Sequence, residues 1–227
     1  MTKTAILIPA RYGSTRFPGK SLYQLNGKPM IQHVAEICKL SGYDTYVLTD
    51  NKTIAQAARD SGVDSYIDST DYENGTERCC GALKSRKFEE YDQFVNVQGD
   101  MPDATYEMIE KAILALQCYP TSTVFTDMPK EKQNDPNSVK MVRAGDQALW
   151  FGRGMTGYGE WHLGVYGYRQ NALRHYLDML VEKEERVEKL EQLRWLKNGW
   201  QMGCYYVKFN GIEINTPEDI TKWQTKN

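Results

Sequence analysis

The stretch "AILIPARYGSTRFPGKS", residues 5–21, decides the fold. Four apolar residues lead into Pro9 and a polar loop that contains glycines. This pattern is typical of a buried strand in a parallel sheet, and open sheets of this kind bind ligands where their strands end. The loop has three cations within ten residues, Arg11, Arg16 and Lys20. They favour a bound polyphosphate, with an ordinary solvated basic loop as the alternative.

The end of this loop, Gly19-Lys20-Ser21, is similar to a P-loop but does not match one. Five residues separate Gly13 from Gly19, whereas the Walker pattern has four. Pro18 lacks the backbone N–H that a P-loop uses to hold phosphate. The sequence "LYQLNGKP", with a turn at Asn26-Gly27, follows where a P-loop would open a helix. We therefore reject the P-loop and keep phosphate binding as a hypothesis.

Apolar periodicity alternates between strands and helices in the first half of the chain. The predicted strands are "TAILIPA", "DTYVLTD", "DSYID" and "QFVNVQ", and the predicted helices cover residues 29–40, 52–61, 76–84 and 105–117. This alternation predicts an α/β fold with a mostly parallel central sheet and helices on both faces. The second half is mixed, with a predicted hairpin of "SVKMVR" and "QALWFGR", strands at "WHLGVYGYR" and "GCYYVKF", and helices over 170–180 and 217–224.

Composition sets the limits on function. The 227 residues are 41% hydrophobic and 26% charged, which suffices for one domain, residues 1–227, with a full core. The formal net charge of −2 gives no overall attraction to nucleic acid or to an anionic membrane, so we expect neither as a partner. Five cysteines without metal-site spacing predict the reduced thiols of a cytoplasmic protein.

A carboxylate follows the strand "FVNVQG" at Asp100, and we expect it at the same edge of the sheet as the cationic loop. A carboxylate that faces cations across a crevice predicts a Mg²⁺–nucleotide site, with a turn residue or helix cap as the alternative. "ENGTER" predicts a second turn that opens a helix, with Thr76 as N-cap, Gly75 allowing close approach and Arg78 one turn in. Taken alone, that turn is interpreted as a helix cap.

Seven motifs give the chain a family resemblance. "IPARYGSTRFPGKSL", "NGKPMIQHV", "NGTER", "VNVQGD", "HLGVYGYR", "LEQLRWLKNG" and "TPEDI" follow in the order and near the spacing found in the 3-deoxy-manno-octulosonate (Kdo) cytidylyltransferases, or CMP-Kdo synthetases. The resemblance covers nearly the whole chain. It implies a Rossmann-like nucleotidyltransferase whose first half, to about residue 120, binds CTP. The second half, residues 121–227, would bind the sugar acid and form a homodimer.

The resemblance also implies a role for individual residues. Lys20, Asp100 and Arg11 would be catalytic, with Lys20 steadying the α-phosphate in the transition state. The implied nucleotide-binding residues are Ala10, Arg11, Ser14, Lys20, Gly75, Arg78 and Gln98. The implied sugar-binding residues are Gln98, Arg153, His162, Tyr166, Glu191 and Gln192. Mg²⁺ would be the cofactor, with Asp100 and Asn215 as ligands.

The implied reaction is in-line attack by the anomeric hydroxyl of Kdo on the α-phosphorus of CTP. It releases pyrophosphate and gives CMP-Kdo, a precursor for lipopolysaccharide. No covalent enzyme intermediate is needed, so catalysis would rest on positioning and electrostatic stabilisation.

Three features depart from the family pattern. Asn215 lies where the family typically has a second metal-binding aspartate, and Met101 follows Asp100 where an acidic residue is common. The segment between Arg153 and His162 is shorter than in the family. These departures leave two alternatives open: a cytidylyltransferase for another keto-sugar acid, such as amino-Kdo or a nonulosonic acid, or a catalytically weakened nucleotide-binding homologue.

Overall fold

The computed structural model describes residues 2–13 and 17–226. Its strands are β1 (Thr4–Pro9), β2 (Gln24–Leu25), β3 (Lys28–Pro29), β4 (Asp44–Thr49), β5 (Asp64–Ile67), β6 (Gln93–Val97), β7 (Thr121–Thr126), β8 (Lys140–Ala144), β9 (Gln147–Gly152), β10 (Glu160–Arg169) and β11 (Met202–Tyr206). Its α-helices are α1 (Met30–Leu40), α2 (Lys52–Asp60), α3 (Gly75–Ala82), α4 (Tyr106–Ala115), α5 (Gln170–His175), α6 (Lys183–Glu188), α7 (Leu193–Lys197) and α8 (Pro217–Lys226). Short 3-10 turns cover Lys20–Leu22, Arg86–Phe88, Lys130–Lys132 and Tyr176–Asp178.

The chain forms two compact units. One consists of Met1–Tyr106 with Asn210–Asn227, and the other of Glu107–Phe209. The halves expected from the sequence meet near residue 120, whereas the C-terminal segment here returns to the first unit. Apolar packing accounts for this return, because a buried cluster joins the two parts of that unit. Its members are Leu25, Met30, Ile214, Ile220 and Trp223.

The first unit is built on parallel strands in the order β5-β4-β1-β6. Strand β1 lies between β4 and β6, with Leu7 opposite both Tyr46 and Asn96. All six residues of β1 are buried, although successive side chains point to opposite faces. Both faces of this strand are therefore covered, which confirms the predicted parallel α/β arrangement.

The carboxyl ends of these strands lead directly into loops and helix starts. Ala10 continues β1 and donates its N–H to Leu48 O at 2.9 Å. Helix α2 begins directly after β4, capped by the Asn51 side chain. Helix α3 begins at Gly75, and its N-cap is Asn74, which accepts from the backbone N–H of Glu77 at 2.9 Å. The expectation that Thr76 caps this helix is wrong, since Thr76 is already a helical residue.

The second unit has a mixed sheet in the order β10-β7-β11-β9-β8. Strand β7 pairs antiparallel with β10 and parallel with β11. Strands β8 and β9 form the predicted antiparallel hairpin. This agrees with the mixed α/β character expected for the second half of the sequence.

Strand β7, with the sequence "TSTVFT", is not predicted by the pattern of apolar residues. Its first three hydroxyl residues are fully buried, and each has a hydrogen-bond partner inside the unit. Thr121 Oγ1 donates to Gln201 O at 3.0 Å, Ser122 Oγ to Ala112 O at 2.7 Å and Thr123 Oγ1 to Val165 O at 2.9 Å. These bonds remove the cost of burying hydroxyls, and they depend on tertiary neighbours that local sequence does not reveal.

Helical structure after β10 also differs in detail from the prediction. The helix expected over residues 170–180 ends at His175 and continues only as the 3-10 turn. Helices α6 and α7 are short and were not indicated by periodicity. Among the described residues, no helix is both long enough and apolar enough to cross a membrane.

Candidate active site

A cleft in the first unit lies where the parallel strands end. It has a volume of about 200 Å³. The lining residues come from the ends of β1 and β6, the 3-10 turn and the start of α3: Pro9, Ala10, Arg11, Lys20, Ser21, Tyr72, Glu73, Asn74, Gly75, Arg78, Gln98, Gly99 and Asp100. Segments far apart in sequence are thus brought together. The position matches the rule that open parallel sheets bind ligands at the carboxyl ends of their strands.

Lys20 and Asp100 form the charged centre of this cleft. Lys20 Nζ lies 2.5 Å from Asp100 Oδ2 and also donates to Ile214 O at 3.2 Å. The side chains are 16% and 29% exposed, so the pair is only partly screened by water. The cation predicted to act on phosphate and the carboxylate predicted to bind metal are therefore in direct contact.

Two arginines lie on the other wall of the cleft. Arg11 Nη1 donates to Tyr72 O at 3.4 Å. Arg78 is 3% exposed, and its Nη1 donates to Asp68 O at 3.2 Å. Its Nη2 lies 3.8 Å from Asp50 Oδ2 and has no hydrogen-bond partner among the described residues. A buried guanidinium donor without an acceptor is costly, and an anionic ligand such as phosphate would satisfy it.

Tyr72 and Asp50 support these arginines and were missed by the sequence analysis. The Tyr72 ring lies 5.3 Å from the guanidinium carbon of Arg78, and its hydroxyl donates to Asp68 Oδ2 at 2.9 Å. Burial and this hydrogen bond raise the pKa of Tyr72, which keeps it protonated. Asp50 Oδ1 accepts from Tyr12 N at 3.0 Å. Asp50 follows β4 as Asp100 follows β6, so its place at a strand end was a usable signal.

Glycine at position 75 allows the chain to pass close to Gln98. A Cβ atom built on Gly75 would lie 2.9 Å from Gln98 Nε2 and 3.1 Å from Pro9 Cγ. Both distances are shorter than ordinary van der Waals contact. The start of α3 and the end of β6 can therefore approach only because this residue has no side chain.

Ser14, the remaining predicted nucleotide-binding residue, lies outside the described residues, as do Thr15 and Arg16. Met101, one of the departures from the family pattern, is 1% exposed. Met101 is thus a buried apolar residue, and it is not among the residues that line the cleft.

Asn215 is not among the residues that line the cleft, but Ile214, directly before it, donates its N–H to Asp100 O at 3.1 Å. The start of α8 is capped without the Asn215 side chain. Asp219 Oδ2 accepts from Asn215 N at 3.0 Å and from Thr216 N at 2.9 Å. This is the reciprocal part of a capping box, so helix capping does not account for an asparagine side chain at position 215.

Asp100 and Asn215 can be compared with the ligands that Mg²⁺ has in nucleotide sites. No group of three or more His, Cys, Asp or Glu side chains that could hold a metal occurs among the described residues. However, Mg²⁺ in nucleotide sites keeps several waters and binds through one or two protein oxygens together with phosphates. The carboxylate of Asp100 and the carboxamide oxygen of Asn215 fit a site of that kind.

The second unit holds five of the six residues expected to bind the sugar acid, whereas Gln98 lies in the cleft of the first unit. His162 is buried, and burial with the nearby Arg153 charge lowers its pKa to about 3. The imidazole is therefore neutral, and its Nε2 is hydrogen-bonded to Thr123 Oγ1 at 2.9 Å. The ring lies 5.3 Å from the Tyr166 ring, whose hydroxyl donates to Gln192 Oε1 at 3.3 Å. The Gln192 Nε2 donor is buried without a hydrogen-bond partner among the described residues.

Arg153 is held by backbone carbonyl groups. Its Nε donates to Glu188 O at 3.2 Å and its Nη1 to Asn137 O at 2.9 Å. Lys140, itself 1% exposed, donates to Arg153 O at 3.2 Å. These contacts fix a cation near His162.

Glu191 and Gln192 lie on a segment fixed by a buried ion pair. Arg194 Nη2 lies 2.6 Å from Glu185 Oε1, and both side chains are less than 10% exposed. The Tyr176 hydroxyl donates to Glu191 O at 2.9 Å. The structure thus brings Arg153, His162, Tyr166, Glu191 and Gln192 into one region of this unit.

Comparison with known proteins identifies the family of the chain. A family model described as cytidylyltransferase matches residues 5–209, which is most of the chain. The chain belongs to the cytidylyltransferase family. The 8-amino-3,8-dideoxy-manno-octulosonate cytidylyltransferase of Shewanella sp. (strain ANA-3) is 37% identical, with 97% of each chain covered. The mitochondrial 3-deoxy-manno-octulosonate cytidylyltransferase of Arabidopsis thaliana is 36% identical, covering 95% of this chain and 80% of that protein.

A solved structure of this cytidylyltransferase family is similar throughout. The structure of CMP:2-keto-3-deoxy-manno-octonic acid synthetase complexed with CTP has a TM-score of 0.89 and 30% identity, covering 99% of this chain and 98% of that one. The resemblance inferred from the seven motifs and the α/β nucleotidyltransferase fold are both confirmed.

Proposed function

We propose that this cytidylyltransferase couples CTP to Kdo, giving CMP-Kdo and pyrophosphate for the synthesis of lipopolysaccharide precursors. The observation that carries the proposal is the cleft of the first unit. It combines a Lys20–Asp100 pair with the buried Arg78 donor at the carboxyl ends of parallel strands. Cations and a carboxylate together suit a triphosphate with its metal better than they suit a neutral ligand.

The nucleotide side of the reaction depends on charge held in fixed positions. Arg11, Lys20 and Arg78 bind the phosphates, and Lys20 stabilises the charge that develops on the α-phosphate during attack. When bound by Asp100 and Asn215, Mg²⁺ supplies neutralisation of phosphate charge. Gly75 and Gln98 form the close wall against which the nucleotide is oriented.

The sugar side depends on a cation and on neutral polar groups. Kdo is a polyhydroxylated carboxylic acid, so Arg153 binds its carboxylate. His162, which is neutral because of its low pKa, exchanges hydrogen bonds with hydroxyls without adding charge. Tyr166, Glu191 and the unpartnered Nε2 of Gln192 provide further partners. In-line attack by the anomeric hydroxyl requires only that these groups orient the sugar.

A second candidate substrate is the 8-amino analogue of Kdo. The Shewanella relative named for that acid is 37% identical to this chain over 97% of its length. Both acids share the carboxylate and the anomeric hydroxyl and differ at the far end of the sugar. The reaction and the nucleotide site would be the same for either one.

The proposal is tested by pyrophosphate release with CTP and a panel of sugar acids: Kdo, 8-amino-Kdo and a nonulosonic acid. We expect turnover with Kdo and retention of CTP as the preferred nucleotide over ATP and GTP. Turnover with another acid but not with Kdo would show that the other acid is the substrate. CTP binding without turnover on any acid would identify a catalytically weakened homologue.

Two further parts of the proposal concern the protein in the cell. We propose that it acts as a homodimer in the cytoplasm, as the family resemblance implies. All five cysteines are free thiols, which is consistent with a reducing compartment. Sedimentation analysis of the purified protein tests the oligomer, and fractionation of the source cells tests the location.

A further inference from the structure

A single carboxylate connects the C-terminal segment of the first unit to the loop that follows β6. Asp103 Oδ1 accepts from Trp223 Nε1 at 2.6 Å, and its Oδ2 accepts from Ile212 N at 2.9 Å. Lys226 Nζ lies 3.6 Å from the same Oδ2. The Asp103 side chain is 13% exposed, so these bonds are largely shielded from water. One side chain thus contacts the segment at both its beginning and its end.

The contact at Ile212 lies two residues from the cleft. Ile214 N donates to Asp100 O at 3.1 Å, and Ile214 O accepts from Lys20 Nζ at 3.2 Å. The N–H of Ile214 therefore contacts the backbone of Asp100, and its carbonyl contacts the Lys20 ammonium. The position of Ile214, and of Asn215 after it, depends on how the segment is held at Ile212.

Apolar packing also holds the segment. Ile214, Ile220 and Trp223 are buried against Leu25 and Met30. The hydrophobic effect behind such contacts is non-directional. Two hydrogen bonds to one carboxylate are directional, and they fix the backbone at Ile212 relative to the loop that carries Asp100.

We propose that Asp103 is a positioning residue of the nucleotide site. It holds the C-terminal segment so that the Ile214 carbonyl accepts a hydrogen bond from Lys20. This inference rests on the proposed function, because it gives the segment a role in binding CTP. Asp103 does not touch the cleft lining itself and acts only through Ile212 and Trp223.

Two substitutions separate this role from general stabilisation. Asp103→Asn keeps the size of the side chain but leaves one acceptor oxygen for two N–H donors and removes the charge that faces Lys226. Trp223→Phe keeps an aromatic ring in the apolar cluster and removes the Nε1 donor. Tyr91→Phe is the matched control, since the Tyr91 hydroxyl binds Tyr46 and Asp44 at 2.8 Å. Asp44 begins β4, so this control lies at the opposite ends of the strands.

The experiment measures the Kd of CTP in the presence of Mg²⁺ by calorimetry, and the Tm, for each protein. We expect Asp103→Asn to raise the Kd about tenfold. Trp223→Phe should raise it by less, because it removes one of the two hydrogen bonds to the carboxylate and leaves the bond to Ile212 N. Tyr91→Phe should lower the Tm and leave the Kd unchanged. Amide exchange at Ile214 should be faster in Asp103→Asn than in the wild type.

The possible results separate failure of the role proposed for Asp103 from failure of the proposed function. If the wild type binds CTP and both Asp103→Asn and Trp223→Phe bind it equally well, Asp103 is only structural and the inference is overturned. A Kd that rises in the Tyr91→Phe control by as much as in Asp103→Asn would overturn it too. A wild type that fails to bind CTP removes the proposed function and this role with it.

Discussion

Replacing Lys20 by methionine should lower the turnover rate and raise the affinity of the protein for a metal ion. The wild-type ammonium lies 2.5 Å from Asp100 Oδ2, so a metal ion that binds Asp100 must compete with it. A hydrogen bond between charged groups contributes about 1.5–3 kcal/mol, and the partial exposure of the pair places it near the lower value. Without Lys20, binding of Mn²⁺ to the nucleotide-free protein should tighten by about tenfold. Turnover should fall by about 10²–10³, as when one donor to a developing negative charge is removed.

The assays are Mn²⁺ titration followed by electron paramagnetic resonance, and pyrophosphate release with CTP and Kdo. Lys28→Met is the matched control, because Lys28 forms an ion pair with Glu36 at 2.7 Å on the surface of the same unit. This control should change neither the Mn²⁺ affinity nor the rate of pyrophosphate release. Near wild-type turnover in Lys20→Met would refute the role of Lys20. Lost turnover with unchanged Mn²⁺ affinity would show that Asp100 does not bind the metal.

Three other predictions concern the wall of the cleft, the metal site and the buried histidine. Gly75→Ala should raise the KM for CTP about tenfold, because a Cβ 2.9 Å from Gln98 Nε2 forces that wall to move; an unchanged KM would mean that the wall does not contact the nucleotide. Asn215→Asp should lower the Mg²⁺ concentration for half-maximal rate about tenfold if the added carboxylate contributes about 1.4 kcal/mol, whereas superimposable titrations would place the metal elsewhere. The pKa of His162, lowered to about 3, lies below its unfolded value of 6.5, so the unfolded state binds more protons between these values. The free energy of unfolding, measured with urea, should therefore fall as the pH drops below about 6.5, by up to about 1.4 kcal/mol per pH unit, and the slope should be smaller in His162→Gln.

The parallel half of the fold could be predicted from sequence because its signals are local. The apolar run of β1, the amphipathic pattern of α1 and the asparagine before α2 each reflect one element and its cap. Strand β7 could not be predicted, since its hydroxyls are buried only because tertiary neighbours accept their hydrogen bonds. The return of the C-terminal segment could not be predicted either, since the buried cluster of Leu25, Met30, Ile214, Ile220 and Trp223 joins residues far apart in sequence.

The candidate site likewise contains some residues that could be predicted from sequence and others that could not. Asp100 could be predicted because it follows a strand of the parallel sheet, and it lies in the cleft. Asp50 also follows a strand, but only the structure shows that its carboxylate lies near the Arg78 guanidinium. Tyr72 had no pattern that marks a supporting residue. The pairing of Lys20 with Asp100 could not be read from sequence, because no spacing rule joins side chains from separate elements.

The most direct test of the central claim is a ³¹P NMR time course with CTP, Kdo and Mg²⁺. The account predicts that the triphosphate signals decay as a sugar phosphodiester and pyrophosphate appear in equal amounts, and that mass spectrometry identifies the phosphodiester as CMP-Kdo. Omitting Kdo should stop the reaction. Formation of free CMP with no sugar adduct, or equal turnover with a purine triphosphate, would contradict the assignment of cytidylyl transfer to a keto-sugar acid.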